Sequence, residues 1–205
     1  MSGPVAAIVL AAGRGTRFGV EPKMVAALEG KPLVRHAAEA ALASACRPVL
    51  VVTGHRAADI EHALGDLPVQ VVANPRYADG LSTSLRAGFA ALPPGARGAL
   101  ILLGDMPRIS AGTLDRLASA WLDAGEPVAA IPLHDGRRGN PVLLSAALSD
   151  EIAALAGDVG AGPLLRGRAG ILEVPFGDPG VTLDIDTPGM LGRLQASTTP
   201  SSTAE

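Results

Sequence analysis

Apolar residues fall along the chain in short unbroken runs, separated by longer stretches of mixed polarity. VAAIVL (5–10), PVLVVT (48–53), VQVVA (69–73), ALILL (99–103) and PVAAIP (127–132) are of strand length, and none alternates with polar residues. A strand covered on both faces has no polar side, so these runs predict a buried, parallel sheet. The segments 32–45, 56–65, 80–92 and 110–125 carry apolar residues at helical spacing. Pro32 suits a first helical turn, Gly65 a left-handed C-terminal cap, and Ser110 an N-cap. Regular alternation of strand and helix predicts right-handed crossovers and a three-layer α/β/α sandwich around a mostly parallel sheet.

After Pro132 the rhythm changes. LHDGRRGNPVLLS (133–145) reads as an extended lid or hairpin, followed by helices near 146–156 and 160–167 and a short strand at 170–174. VTLDID (181–186) is strand-like, and Thr187 is the expected N-cap of a last helix. The expected organisation is one domain over 1–194, with a lid-like insertion at about 133–168. QASTTPSSTAE (195–205) is small and polar and is expected to be a disordered tail.

Composition narrows the function classes. Of 205 residues, 48% are apolar and only 2% aromatic, so the core must be built from Ala, Leu, Val and Ile. A net charge of −3 argues against a general binder of nucleic acid or membrane surfaces, which needs a broad basic face. Trp121 and Tyr77 are isolated and give no stacking platform for single strands. The lone Cys46 excludes an internal disulfide and a cysteine zinc site, and the four histidines show no metal-ligand spacing. His36 and His62 fall in helices as surface or packing residues, whereas His55 follows a strand. The N-terminal apolar run is too short for a signal peptide, and no run approaches a membrane span. These features lead to the expectation of a soluble, cytoplasmic protein.

Against that acidic background, IVLAAGRGTRFG (8–19) places a basic, glycine-punctuated loop directly after the first strand. In an open parallel sheet, ligands sit beyond the carboxyl ends of the strands. Glycines there let backbone N–H groups approach an anion, and Arg14, Arg17 and Lys23 add positive charge. The fitting guest is a phosphate chain. Neither the dinucleotide fingerprint G-x-G-x-x-G nor the P-loop pattern is met, because Phe18 stands where each needs glycine. Asp105 lies just past a buried strand, and Asp184 and Asp186 compete for a second acidic position. One or two carboxylates plus phosphate oxygens are what Mg²⁺ takes. Ser82, Thr83 and Ser84 open a helix after Gly80, where hydroxyls either cap the helix or meet a ligand. Arg137, Arg138, Gly139 and Asn140 form a basic turn.

LAAGRGTRFG followed by PKMVAALEGKPLV resembles the signature of nucleotidylyltransferases of the sugar-nucleotide pyrophosphorylase superfamily. NPRYADGLSTSLRAG, LLGDMPRIS, GRRGNPVLLS, GDVGAGPLL and DIDTP resemble, in order and spacing, the molybdenum cofactor cytidylyltransferases, the MobA-like NTP transferases. The resemblance implies a Rossmann-like nucleotide-diphospho-sugar transferase fold. It implies that the loop wraps a triphosphate, with Leu10, Ala11, Ala12, Gly13, Gly15 and Arg17 around the nucleotide and Arg14 and Lys23 as its main cationic contacts. Gly80, Ser82 and Ser84 would complete the nucleotide site. Arg138, Gly139, Asn140 and Asp158 would bind the acceptor, and Asp105 and Asp186 would hold Mg²⁺. Arg14, Lys23 and Asp105 would then be the catalytic set. The implied reaction transfers CMP from CTP to the terminal phosphate of molybdopterin and releases pyrophosphate. GTP as donor and another small phosphate acceptor are the rival enzymatic readings. A non-catalytic carrier delivering cofactor to a molybdenum hydroxylase is the rival from another class. The chain departs from the family pattern at Gly189-Met190, in place of an acidic pair, and at Gly162-Pro163, where a basic residue is common.

Overall fold

The computed structural model describes residues 5–19 and 22–198. Among these residues ten strands form: β1 (Val5–Leu10), β2 (Ala27–Leu28), β3 (Lys31–Pro32), β4 (Val49–Thr53), β5 (Gln70–Ala73), β6 (Gly98–Leu103), β7 (Ala129–His134), β8 (Arg137–Arg138), β9 (Val142–Ser145) and β10 (Ile171–Pro175). The α-helices are α1 (Leu33–Ala43), α2 (Ala57–Leu64), α3 (Leu81–Ala90), α4 (Ala111–Asp123), α5 (Ser149–Ala153), α6 (Gly162–Leu165) and α7 (Pro188–Thr198). The main sheet runs β10-β7-β9-β6-β1-β4-β5, with β8 paired to β7. β1 lies parallel to both β4 and β6, and β4 to β5. β2 and β3 form a separate two-stranded hairpin.

The alternation within β1 explains the three layers. Val5, Ala7 and Val9 face one side and pack with Val34 and Ala37 of α1, Ile60 of α2 and Leu114 and Trp121 of α4. Ala6, Ile8 and Leu10 face the other side and pack with Leu85 and Phe89 of α3 and Ile152 of α5. Every residue of β1 is buried, which is why the run has no polar phase. Caps fall where expected: Ser110 accepts from the Thr113 N–H, Thr187 accepts from the Met190 N–H, and Gly65 has positive φ at the end of α2. Among the described residues, no helix is long and apolar enough to cross a membrane.

Three expectations change. The segment read as an extended lid or hairpin does form a hairpin, with β8 turning back on β7, but its second run enters the sheet interior, where β9 lies antiparallel between β6 and β7. Leu143 packs into one helical layer and Leu144 into the other. Four residues are too few for that two-sided burial to show as periodicity. The strand-like run 181–186 forms no strand: it is a short 3₁₀ turn, Pro179–Thr182, then extended chain. Ile185 is pinned there by its N–H to the Asp105 carbonyl at 3.0 Å and by burial among Phe18, Leu28 and Leu33. The helix α7 reaches Thr198, four residues into the expected tail. Leu191 packs on that same small cluster with Leu194 beside it, and the Gln195 amide donates to the Ala27 carbonyl, which carries the helix past residue 194. The remainder of the expected tail lies outside the described residues.

Candidate active site

A cleft of about 610 Å³ opens at the carboxyl edge of β1 and β6. Leu10, Ala12, Gly13, Arg14, Gly15, Arg17 and Lys23 line it from the first loop. Gly80 and Ser84 line it from α3, Asp158 from the segment before α6, and Asp105 and Asp186 from across the sheet. Most of the residues singled out from sequence therefore converge on one cavity, from stretches far apart in the chain.

Lys23 is the centre of its charge. The ammonium is buried and contacts Asp105 Oδ2 at 2.5 Å and Asp186 Oδ1 at 2.8 Å. Arg17, itself largely exposed, takes the other oxygen of Asp186 at 2.9 Å. Gly15 permits this packing: its φ is +58°, and a Cβ there would lie 2.9 Å from Lys23 Cβ. Burial works against the charge on Lys23, but Asp105 and then Asp186 outweigh it and hold the ammonium above its ordinary range. Burial pushes the Asp105 carboxyl up, Lys23 opposes that, and Asp184 adds to it. The hydrogen bond from Lys23 instead holds Asp186 below the usual carboxylate range. The two carboxylates thus differ: one is strained toward its neutral form and the other is settled as an anion.

Asp105 Oδ1 is buried and has no hydrogen-bond partner among the described residues. A buried acceptor left unpaired is costly, on the order of 1–3 kcal/mol, unless something else meets it. No cluster of three or more His, Cys, Asp or Glu side chains suited to a metal occurs among the described residues. A pair of carboxylates with a free oxygen does fit an Mg²⁺-like cation whose other ligands are phosphate oxygens and water.

The α3 wall rests on a close approach. Gly80 has φ +108°, and a Cβ would come within 2.5 Å of the Gly157 carbonyl carbon and oxygen. Asp158 seals the same junction by accepting from the Leu81 N–H at 3.0 Å. We expect Gly80→Ala to open this wall, lowering stability by about 1–3 kcal/mol and weakening any ligand of the cleft. Denaturant melts and ligand titrations check both effects.

Several expected residues do not line the cleft. Ala11 lies in the core and donates its N–H to the Val52 carbonyl. Ser82 is fully buried and donates to the Gly157 carbonyl at 2.7 Å, so it fastens the loop rather than facing the cavity. Arg138 pairs with Glu173 on β10 at 2.7 Å. Gly139 packs against the Val181 carbonyl, and Asn140 donates its N–H to that same oxygen at 2.7 Å. The 138–140 turn therefore braces the segment that carries Asp184 and Asp186. His55 donates its backbone N–H to Ala12 and does not line the cleft either.

Other lining residues went unassigned. Tyr77, read from sequence as isolated, faces the cavity with the Arg14 guanidinium 6.0 Å from its ring centroid and the His55 ring at 5.7 Å. Its place three residues before Gly80, inside a motif already marked, was the available signal. Met24 and Asp79 also line the cleft, and a one-residue view of the motifs gave no reason to select them.

The comparisons with known proteins bear on this geometry. A family described as "MobA-like NTP transferase domain" matches residues 7–172. The chain is 41% identical over 128 residues to the bifunctional protein GlmU of Kineococcus radiotolerans, covering 61% of this chain but only about a quarter (26%) of that protein. It is 31% identical over 196 residues to nicotine blue oxidoreductase of Paenarthrobacter nicotinovorans, covering 93% of this chain and 96% of the other. Among solved structures, Rv0371c of Mycobacterium tuberculosis H37Rv superposes with a TM-score of 0.82 at 26% identity, covering 96% and 99% of the two chains. Its complex with manganese gives 0.79 at 27% identity, covering 95% and 99%.

Proposed function

The chain belongs to the MobA-like NTP transferase family, and from that footing we propose that it transfers CMP from CTP to the terminal phosphate of a molybdopterin-type acceptor, with Mg²⁺. The observation that carries the reading is the cationic bridge Arg17–Asp186–Lys23–Asp105 at the foot of the glycine loop. Basic groups for a triphosphate and carboxylates for its cation meet there in one cavity.

The acceptor phosphate monoester is already ionised near neutral pH, so the site needs no general base. An acceptor oxygen forms a bond to the α-phosphorus, the α–β phosphoanhydride bond breaks, and pyrophosphate leaves with the electron pair. The obstacle is bringing two polyanions together and stabilising charge on the phosphoryl oxygens. Arg14, Arg17 and the N–H groups of the glycine loop hold the triphosphate. Lys23 neutralises it, exchanging part of its contact with the carboxylates for contact with phosphate. Asp105 and Asp186 would hold a divalent cation, which supplies neutralisation of the reacting phosphoryl oxygens. The manganese complex of the mycobacterial relative supports a divalent ion in this fold. Asp158 lines the cleft at the junction with α3, and we assign it to the acceptor side.

Pyrophosphate release with molybdopterin and Mg²⁺, run in parallel with CTP, GTP, ATP and UTP, tests this. Release with CTP alone is the expected result. Release with GTP alone keeps the chemistry and changes the donor, and no release with any nucleotide overturns it. The near-full-length likeness to nicotine blue oxidoreductase favours one second reading, an oxidoreductase. NAD(P)H oxidation without any nucleoside triphosphate would establish that reading instead.

A further inference from the structure

Asn74 follows β5, is almost wholly buried and does not line the nucleotide cleft, yet it decides the polarity of a group that does. Its Oδ1 accepts from the Arg76 backbone N–H at 3.0 Å. A backbone N–H can only donate, so this contact fixes which way the amide faces. The Nδ2 end must then donate, and it meets Thr83 Oγ1 at 2.9 Å and Ser84 Oγ at 3.0 Å. Each hydroxyl accepts from Asn74 and keeps one proton to give. Thr83 spends its proton on a backbone carbonyl, with Gly80 O at 2.8 Å and Arg76 O at 3.0 Å both within reach. Ser84 donates to no group among the described residues, and it lines the cleft.

We propose that Asn74 is a positioning residue that orients Ser84 as a hydrogen-bond donor toward the nucleotide: the amide takes one Oγ lone pair, and the unspent hydroxyl proton is set to meet an acceptor atom of the ligand. The inference rests on the nucleotide reading of the cleft. Asn74 also ties the start of α3 to the sheet edge: its side chain holds Thr83 and Ser84, and its own N–H donates to the Thr53 carbonyl at the end of β4 at 2.8 Å. The donor is therefore fixed relative to the sheet edge and costs little to order when ligand arrives.

Asn74→Asp tests the polarity with almost no change in shape. The introduced carboxylate still accepts from Arg76, but it can no longer donate to Ser84. The Ser84 proton then turns back onto that carboxylate, and its oxygen lone pairs face the acceptor on the ligand. CTP dissociation constants are measured by calorimetry for the native chain, Ser84→Ala, Asn74→Asp and the double variant, with thermal midpoints alongside. Ser84→Ala should weaken binding about three- to tenfold, the scale of one neutral hydrogen bond. Asn74→Asp should weaken it more, because two acceptors are now opposed. The double variant should bind like Ser84→Ala alone, since removing the hydroxyl removes the opposition. That partial rescue is a signature that loss of stability cannot imitate. Additive losses, or a double variant worse than either single one, overturn the role of Asn74. A native chain that binds no nucleoside triphosphate overturns the reading of the cleft and this inference with it.

Discussion

Asp105→Asn should lower nucleotidyl transfer by about 10³-fold, the scale of a lost transition-state contact, while leaving the protein at least as heat-stable as the native chain. The two halves of this result have one cause. Burial raises the Asp105 carboxyl above its ordinary range despite Lys23 beside it. The native state therefore binds this proton more tightly than the unfolded chain does. For such a group stability declines as pH rises from the unfolded value through the raised one. Burial disfavours the charged form of this carboxyl, and asparagine keeps its shape without the charge. Lys23 keeps its contact with Asp186 at 2.8 Å, so the variant leaves no bare cation behind. Initial rates of pyrophosphate release and calorimetric melting at pH 7 measure the two effects. A fall in melting temperature of several degrees would mean that the carboxylate holds the fold together rather than serving the reaction.

Lys23→Met should abolish activity to a similar or greater degree and should cost the stability that Asp105→Asn spares. Removing one partner from a buried pair commonly costs about 3–5 kcal/mol, because the other charge stays behind uncompensated. Here two carboxylates stay behind, one of them with a buried oxygen that has no partner among the described residues. Without the ammonium both carboxyls move up in the folded state, so acidification should restore stability to the variant. In the native chain the same titrations divide. Asp186, held below its ordinary range, contributes stability that is present above the unfolded value and lost as pH falls through the lowered one. Lys23 contributes stability that is present below its unfolded value and lost as pH rises through the raised one. Melting curves of the variant between pH 4 and pH 8, compared with the native chain on the order of one unit at a time, show whether the gap narrows on the acid side. A gap that stays constant would remove the carboxylates from the explanation.

Much of this arrangement was legible in the sequence, for a physical reason. The parallel strands are buried on both faces, so they stand out as continuous apolar runs, and the residues just past them fall at the sheet edge where ligands bind. That logic put Arg14, Lys23 and Asp105 at one sheet edge, and the three line a single cleft there. It could not see that Asp105 and Asp186 share one ammonium, because the contact spans distant segments joined by the Ile185 N–H. It misplaced Ser82 because a hydroxyl at a helix start looks the same whether it faces a cavity or a neighbouring loop. The 138–140 turn was assigned to the acceptor by resemblance, and nothing local announced that Arg138 pairs with Glu173 on another strand. Tyr77 was passed over as a single aromatic, although one ring suffices beside a guanidinium. Asn74 carried no charge to draw notice, and its effect lies wholly in which end of the amide points at Ser84.

The position of β9 also bears on the order in which a growing chain can complete its sheet. β6 and β7 do not pair with each other; the slot between them is filled only by residues 142–145. A nascent chain that has just released β7 can join β5, β4, β1 and β6, but it keeps the outer edge of β6 open and leaves β7 without its sheet partner. Synthesis must proceed past Ser145 before the two halves become one sheet. Over that interval the open edge of β6, an almost wholly buried strand in the finished protein, is the place where two nascent chains would find each other.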